Sequence, residues 1–205
     1  MFKTRFAILA FLALLLSLSA FAQPKRTITH EDVWLMKRVG APAPSPDGKW
    51  VVFSVLEPSY VEADQVSDLW IVPADGSAKP RRLTNTKGGE SGATWSPDSK
   101  RIAFAARREG DEVAQIYLLH IEGGEAMRVT SLSTGARSPQ FSPDGKAILF
   151  QSSVFPGTLN DDDNKKAAAD RKARKWNARV YDSFPIRNWD RWLDDRQTHV
   201  FVQSL

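Results

Sequence analysis

Ser45-Pro46-Asp47-Gly48-Lys49-Trp50-Val51-Val52-Phe53 sets a pattern that returns twice. The copies are Ser96-Pro97-Asp98-Ser99-Lys100-Arg101-Ile102-Ala103-Phe104 and Ser142-Pro143-Asp144-Gly145-Lys146-Ala147-Ile148-Leu149-Phe150. The first four residues of each spell a turn. Proline presets φ for the first corner of a type I turn, aspartate closes the turn by bonding its own backbone, and glycine accepts the left-handed position that follows. The apolar residues after the turn read as a strand.

The flanks repeat as well. The turn serines lie 51 and 46 residues apart. A second apolar run follows each turn: Leu69-Trp70-Ile71-Val72, Ile116-Tyr117-Leu118-Leu119 and Val200-Phe201-Val202. A third run ends in Arg82-Leu83-Thr84 and in Arg128-Val129-Thr130. Each of these threonines stands 12 residues before the next turn serine, and 14 or 13 residues after the aromatic of the second run. From turn serine to aromatic the distance is 25, 21 and then 59 residues. The unit is therefore fixed, and its variation is confined to one loop.

Each unit reads as four strands. The first leads into the turn (92–95 and 137–141), the second follows it, the third carries the aromatic and the fourth ends at the threonine. Asp75-Gly76 and Gly123-Gly124 are expected to join third and fourth strands by tight hairpins. Second and third strands are apolar nearly throughout, as in sheets covered on both faces. Four-stranded units of this length are the blades of a β-propeller. The expected fold is thus all-β, a partial propeller of antiparallel blades at about 39–84, 92–131 and 136–205. A sandwich with three coincident turns is the alternative, and the matched spacings weigh against it.

The first 22 of the 205 residues stand apart. Lys3 and Arg5 give a basic start, 6–21 is apolar apart from Ser17 and Ser19, and Ala20-Phe21-Ala22 offers a signal-peptidase site before Gln23. The expectation is a cleaved signal peptide and an exported protein, periplasmic or secreted, with no stable membrane anchor. An uncleaved anchor is the alternative, and the run is of borderline length for spanning. The chain has no cysteine, which excludes disulfides, zinc thiolates and a cysteine nucleophile. Its formal charge of +4 falls to about +2 without the leader, too little to point to nucleic acid.

Residues 23–38 read as an extension with a short helix over about 31–37, capped by Thr29 with Asp32 three residues on. The third unit carries an insertion at about 154–198 between its second and third strands. There the acidic Asp161-Asp162-Asp163 precedes a basic, alanine-rich stretch with Lys165, Lys166, Arg171, Lys172, Arg174, Lys175 and Arg179, expected to be helical over about 163–179. A solvated helix is the favoured reading, and a nucleic-acid stripe is poorly supported because only Trp176 interrupts the basic run. The acidic cluster lacks the spacing of a calcium loop and suits the helix dipole instead.

The chemistry of catalysis is missing from the sequence. No Gly-x-Ser-x-Gly elbow occurs, and Gly89-Glu90-Ser91-Gly92 is one residue short. His30, His120 and His199 are isolated, and the latter two are expected to be structural, hydrogen-bonded residues of third strands. No phosphate-binding glycine loop appears. No catalytic, cofactor-binding or metal residue is assigned, and no cofactor is expected.

The Ser-Pro-Asp-Gly repeats resemble those of TolB-type propellers and of the propeller in prolyl oligopeptidase family serine peptidases. Two segments favour the peptidases: the entry 31–48, and the end of the insertion, Tyr181-Asp182-Ser183-Phe184-Pro185-Ile186-Arg187-Asn188-Trp189-Asp190-Arg191-Trp192, followed by 198–202. The latter is similar to a segment in exported bacterial members near the acylaminoacyl and dipeptidyl peptidases, which often carry histidine where Asn188 stands. The resemblance implies a peptidase whose propeller precedes an α/β-hydrolase domain, covers its active site and limits substrate size. The serine, aspartate and histidine of that domain would lie beyond Leu205, so the chain is expected to be inactive alone. It is also expected to be poorly stable alone, with apolar blade faces and a strand edge exposed. A TolB-like periplasmic scaffold that binds proteins is the alternative. Arg187, Trp189, Asp190 and Trp192 carry two readings: pinning the long loop onto its blade, which is favoured, or contacting substrate or the hydrolase domain.

Overall fold

The computed structural model describes residues 26–205 apart from 159, 177, 182 and 183. The expected signal peptide lies outside the described residues. Residues up to Leu35 and from Met36 onward form two separate units. In the first, helix α1 (His30–Trp34) has the Thr29 cap: Thr29 Oγ1 accepts from Asp32 N, and Asp32 returns a bond to Thr29 N at 2.8 Å. The helix is shorter than expected and ends at Leu35, whose N–H turns back to Glu31.

The second unit is a partial propeller of three antiparallel sheets. The first contains β1 (Arg38–Val39), β2 (Ala43–Pro44), β3 (Trp50–Glu57), β4 (Val66–Pro73) and β5 (Arg81–Arg82); β1 and β2 both pair with β3, followed in order by β4 and β5. The second runs β6 (Glu90–Trp95), β7 (Arg101–Ala106), β8 (Gln115–His120), β9 (Met127–Arg128). The third runs β10 (Arg137–Phe141), β11 (Ala147–Val154), β14 (Gln197–Ser204). In every sheet the strand entering the turn breaks at the same place. Register shifts between Ser91 and Thr94 and between Arg137 and Gln140, and residues 41–42 separate β1 from β2 after Gly40 N has donated to the Ser54 carbonyl.

Two features differ from the reading of the sequence. The loops from third to fourth strand are not two-residue hairpins, since 74–80 and 121–126 span them. The fourth strands are two residues long and stop before the threonines. Their ladder ends because a side chain takes over: Thr84 Oγ1 accepts from Leu69 N at 2.8 Å, and Thr130 Oγ1 accepts from Ile116 N at 2.9 Å.

The middle sheet explains the continuous apolar strands. Ile102, Phe104, Tyr117 and Leu119 pack with Val52, Leu69 and Ile71 of the first sheet. Alternate residues Ala103, Ala105, Ile116 and Leu118 pack with Ile148 and Phe150 of the third. Both faces are dry, so the period-2 alternation disappears. On β7, Ala103 and Ala105 fill the face toward the third sheet, and Ile102 and Phe104 the face toward the first. The outer face of the third sheet leaves Val200 and Val202 exposed on β14, an edge strand.

Candidate functional site

Strand order divides the loops between two ends of the sheets. The Ser-Pro-Asp turns join first to second strands at one end. Loops from second to third strands, and links from one sheet to the next, must emerge at the other. The turn end is uniform. Ser45, Ser96 and Ser142 each donate Oγ–H to the aspartate two residues on (2.5–2.6 Å) and accept from the N–H five residues on (2.9–3.0 Å). Each aspartate also accepts the N–H of the following lysine at 3.1 Å. These bonds hold the three carboxyls below their ordinary range, with the serine hydroxyl as the main cause and burial opposing it. The turns also meet one another: Asp47 N donates to Ser99 Oγ at 3.0 Å. The three serine hydroxyls and the three aspartates there are committed to the fold.

The opposite end is varied and holds the open space. A cleft there of about 1230 Å³ is lined by Glu62 and Gln65 after β3, by the link 86–88, by the loop 107–111 and by Tyr117. The link is pressed against the loop, since a Cβ on Gly88 would lie 1.8 Å from the Arg107 carbonyl oxygen. At its floor Asp111, buried, accepts from Tyr117 Oη at 2.6 Å, from Arg108 N at 3.1 Å and from the Arg128 guanidinium at 3.1 Å. Burial, followed by the Asp111 bond, pushes the Tyr117 phenol up to about 12. Glu90 is also buried. Thr84 and Thr86 donate their hydroxyls to it at 2.7 and 2.6 Å, yet desolvation outweighs them and raises its carboxyl. The Arg108 guanidinium lies 4.9 Å over the Tyr117 ring and 5.8 Å over Phe104.

The insertion emerges from the same end. Helix α2 (Asp161–Ala173) begins two residues earlier than expected, because Asn160 caps it by accepting from Asp163 N, and it ends six residues earlier, at Ala173. The three aspartates form its first turn, where the dipole favours them. Asp161 ties the helix to the sheets by accepting from Ser133 N and Oγ at 2.8 and 2.7 Å. Burial opposes its ionisation, but the Ser133 and Lys165 bonds prevail and hold its carboxyl low. Buried Asn164 accepts from Phe155 N at 2.9 Å. The Arg171 guanidinium covers the Phe155 ring at 3.9 Å and pairs with Asp195.

These contacts do what the tryptophans were expected to do. The Arg-x-Trp-Asp-x-Trp stretch forms a small hairpin, β12 (Arg187–Asn188) with β13 (Arg191–Trp192). Trp189 sits at its tip, 90% exposed, at φ 56°. Trp192 is 54% exposed and leans toward Tyr181 and Arg187, with ring and guanidinium centres 6.4 and 6.0 Å away. Pinning by burial of the tryptophans is therefore corrected: Phe155, Asn164, Arg171 and Asp161 anchor the insertion, and the hairpin projects. A second cleft of about 730 Å³ lies within the insertion, lined by Arg171, Arg174, Arg179, Tyr181 and Arg196 among others.

The histidines stay apart. His120 ends β8, where its Nδ1 accepts from Glu122 N at 3.4 Å, while His199 is exposed on β14. Among the described residues no group of His, Asp or Glu is arranged to hold a metal, and no helix is long and apolar enough to cross a membrane. Sequence reasoning missed the cluster around Asp111 and Glu90. The signal was available in the two threonines at constant spacing, whose hydroxyls, rather than a strand end, are what the repeat preserves.

Comparison with known proteins places this architecture. The family described as the TolB beta propeller domain matches residues 26–161. An uncharacterized peptidase of Bacillus subtilis is 33% identical over 142 residues, which is 69% of this chain and 21% of that protein. Dipeptidyl-peptidase 5 of Porphyromonas endodontalis is 30% identical over 179 residues, 87% of this chain and 24% of that protein. The chain thus spans less than a quarter of the length of these curated relatives. In fold, it superimposes on the acylaminoacyl peptidase of Pyrococcus horikoshii with a TM-score of 0.60 at 17% identity, covering 86% of this chain and 24% of that one. The chain belongs to the TolB beta-propeller domain family, with its repeated turns, its three antiparallel sheets and its aligned relatives all in agreement.

Proposed function

We propose that this chain is the propeller portion of an exported serine peptidase. An α/β-hydrolase domain supplies the catalytic serine, aspartate and histidine, and the propeller limits access of peptides to them. On this reading residues 1–22 are a signal peptide, 23–38 an extension, and 39–205 an incomplete propeller with its insertion at about 154–198. One observation carries the proposal. The alignment with dipeptidyl-peptidase 5 takes in 87% of this chain, more than fits within 26–161, so likeness to a peptidase continues into the insertion where the propeller repeat itself stops. The opposite end, with the projecting hairpin, is the end suited to meet a second domain, because the turn end spends its serines and aspartates on closing the backbone.

Antiserum against this chain, applied to extracts of the native host, tests the reading. The expected band is several times heavier than the chain, is labelled by a fluorophosphonate directed at serine hydrolases, and is recovered outside the cytoplasm. A heavy band that never takes the label would favour the scaffold reading, and a labelled cytoplasmic band would remove export. The purified chain by itself is expected to hydrolyse no aminoacyl or peptidyl reporter.

A further inference from the structure

We propose that the cleft beside Arg108 is a binding site for the carboxylate of a peptide. The proposal rests on the state of one guanidinium. Arg108 lines the cleft. It is held flat by two aromatic rings, at 4.9 Å from Tyr117 and 5.8 Å from Phe104. Its Nε is buried and makes no hydrogen bond. A buried N–H without an acceptor costs about 1–3 kcal/mol, more when charged, so its retention calls for an acceptor from outside the chain.

The acids nearby do not supply one. Asp111 spends its oxygens on Tyr117 Oη, on the Arg108 main-chain N–H and on Arg128. Glu90 accepts from Thr84 and Thr86, and burial favours its neutral form. The remaining acids of the cleft, Glu62, Glu109 and Glu125, are exposed. Inside stands a cation without an acceptor, and at the rim these three carboxylates outnumber two exposed cations, Lys87 and Arg107. A planar guanidinium stacked on an aromatic face presents a fork that matches a carboxylate. A ligand with a carboxylate at its inner end and an ammonium at its outer end meets both zones. Phosphate would meet the same guanidinium while carrying more charge past the acids, so a carboxylate is the better fit. This site does not depend on the peptidase reading, since failure to bind would leave the mass and labelling of the native protein unaltered.

The test follows the Arg108 Nε–Hε resonance of the full ¹⁵N-labelled chain, assigned by its loss in Arg108→Lys. Three probes separate the sources of carboxylate: acetyl-alanyl-lysine with a free C-terminus, acetyl-aspartyl-lysine amide, and acetyl-alanyl-lysine amide, which has none. Inorganic phosphate is the fourth. A saturable shift is expected with one or both carboxylate probes and not with the carboxylate-free amide. Lysine keeps the charge and the ring contact but not the fork, so Arg108→Lys should weaken binding, read by calorimetry, by about tenfold or more with an unchanged melting curve. Absence of a shift, an equal shift with the carboxylate-free amide, tighter binding of phosphate, or undiminished affinity in Arg108→Lys would each overturn the assignment.

Discussion

The two ends of these sheets were built under different constraints. At the turn end, three separate stretches of sequence make the same bonds from the same serine and aspartate, to within 0.1 Å. At the opposite end one second-to-third-strand loop is a single 3-10 turn at Glu62–Asp64, the next is the tight loop 107–111 around Asp111, and the third is an insertion with a helix and a hairpin. Repetition marks where the backbone itself is being closed. Divergence marks where side chains are free for something else. The contrast in charge is between single groups: the turn aspartates are held below their ordinary range, as is Asp161 at the varied end, whereas buried Glu90 is raised.

The largest effect should come from removing a turn serine in the most enclosed copy. Ser96 is fully buried, and Ser96→Ala leaves Arg101 N and Asp98 short of a partner. The expected loss is about 1–3 kcal/mol by urea denaturation. Ser142→Ala breaks the same bonds where water can replace them and should cost less. Equal losses at both positions would mean that the repeat is held by sequence alone and not by burial.

The opposite pKa directions predict opposite pH responses. A lowered carboxyl stabilises the fold above its unfolded value, near 3.8 for Asp98, and this is lost as pH falls through the folded value. A raised carboxyl binds its proton more tightly in the folded state. Glu90 therefore favours the fold below its unfolded value, near 4.5, and this is lost as pH rises through the folded one. Glu90→Gln removes the second dependence and leaves the first. Its stability relative to the parent should rise as the pH is taken from below about 4.5 to neutral. A difference that stays flat with pH would show that Glu90 ionises in the fold without penalty.

Backbone strain offers a smaller test. Gly92 and Ser138 stand four residues before consecutive turn serines, both in the left-handed region at φ 66° and 53°. Glycine adopts that conformation freely and serine does not. Ser138→Gly should stabilise the third sheet by about 0.5–1 kcal/mol in the same measurement. The matching change at Ser99, φ 59°, should gain less, because it also deletes the acceptor for Asp47 N.

The sequence made the turn end legible and left most of the other end unread, for a physical reason. A turn is closed by residues within five positions of one another, so Ser45, Asp47 and Trp50 carry their own geometry. The cluster at the cleft brings Arg128 to Asp111 and Tyr117 through the pairing of β8 with β9, and Thr84 in the link between two sheets to both Leu69 and Glu90. No local pattern announces that Asp111 in an Arg-Arg-Glu-Gly-Asp loop is buried while its neighbour Glu109 is not. The same limit misled the reading of the insertion. Tryptophans in a long loop ordinarily anchor it, but the anchors here are Phe155 under Arg171 and Asp161 on Ser133, residues that look solvated or unremarkable in sequence.

The hairpin gives the smallest expected effect on stability and for that reason the sharpest division between the two ends. Trp189 is 90% exposed, so Trp189→Ala removes almost no buried area and should move the unfolding free energy by less than about 0.5 kcal/mol. Trp192→Ala, half exposed beside Tyr181 and Arg187, should cost slightly more. A large aromatic kept at the tip of a hairpin in a left-handed conformation is not there for packing within this chain. On the proposed function its partner is the hydrolase domain or the peptide, so in the intact protein the same substitution should raise KM for long peptides more than for dipeptide reporters. A destabilised chain with unaltered KM would reverse the assignment and return the tryptophan to the anchoring role that its exposure argues against.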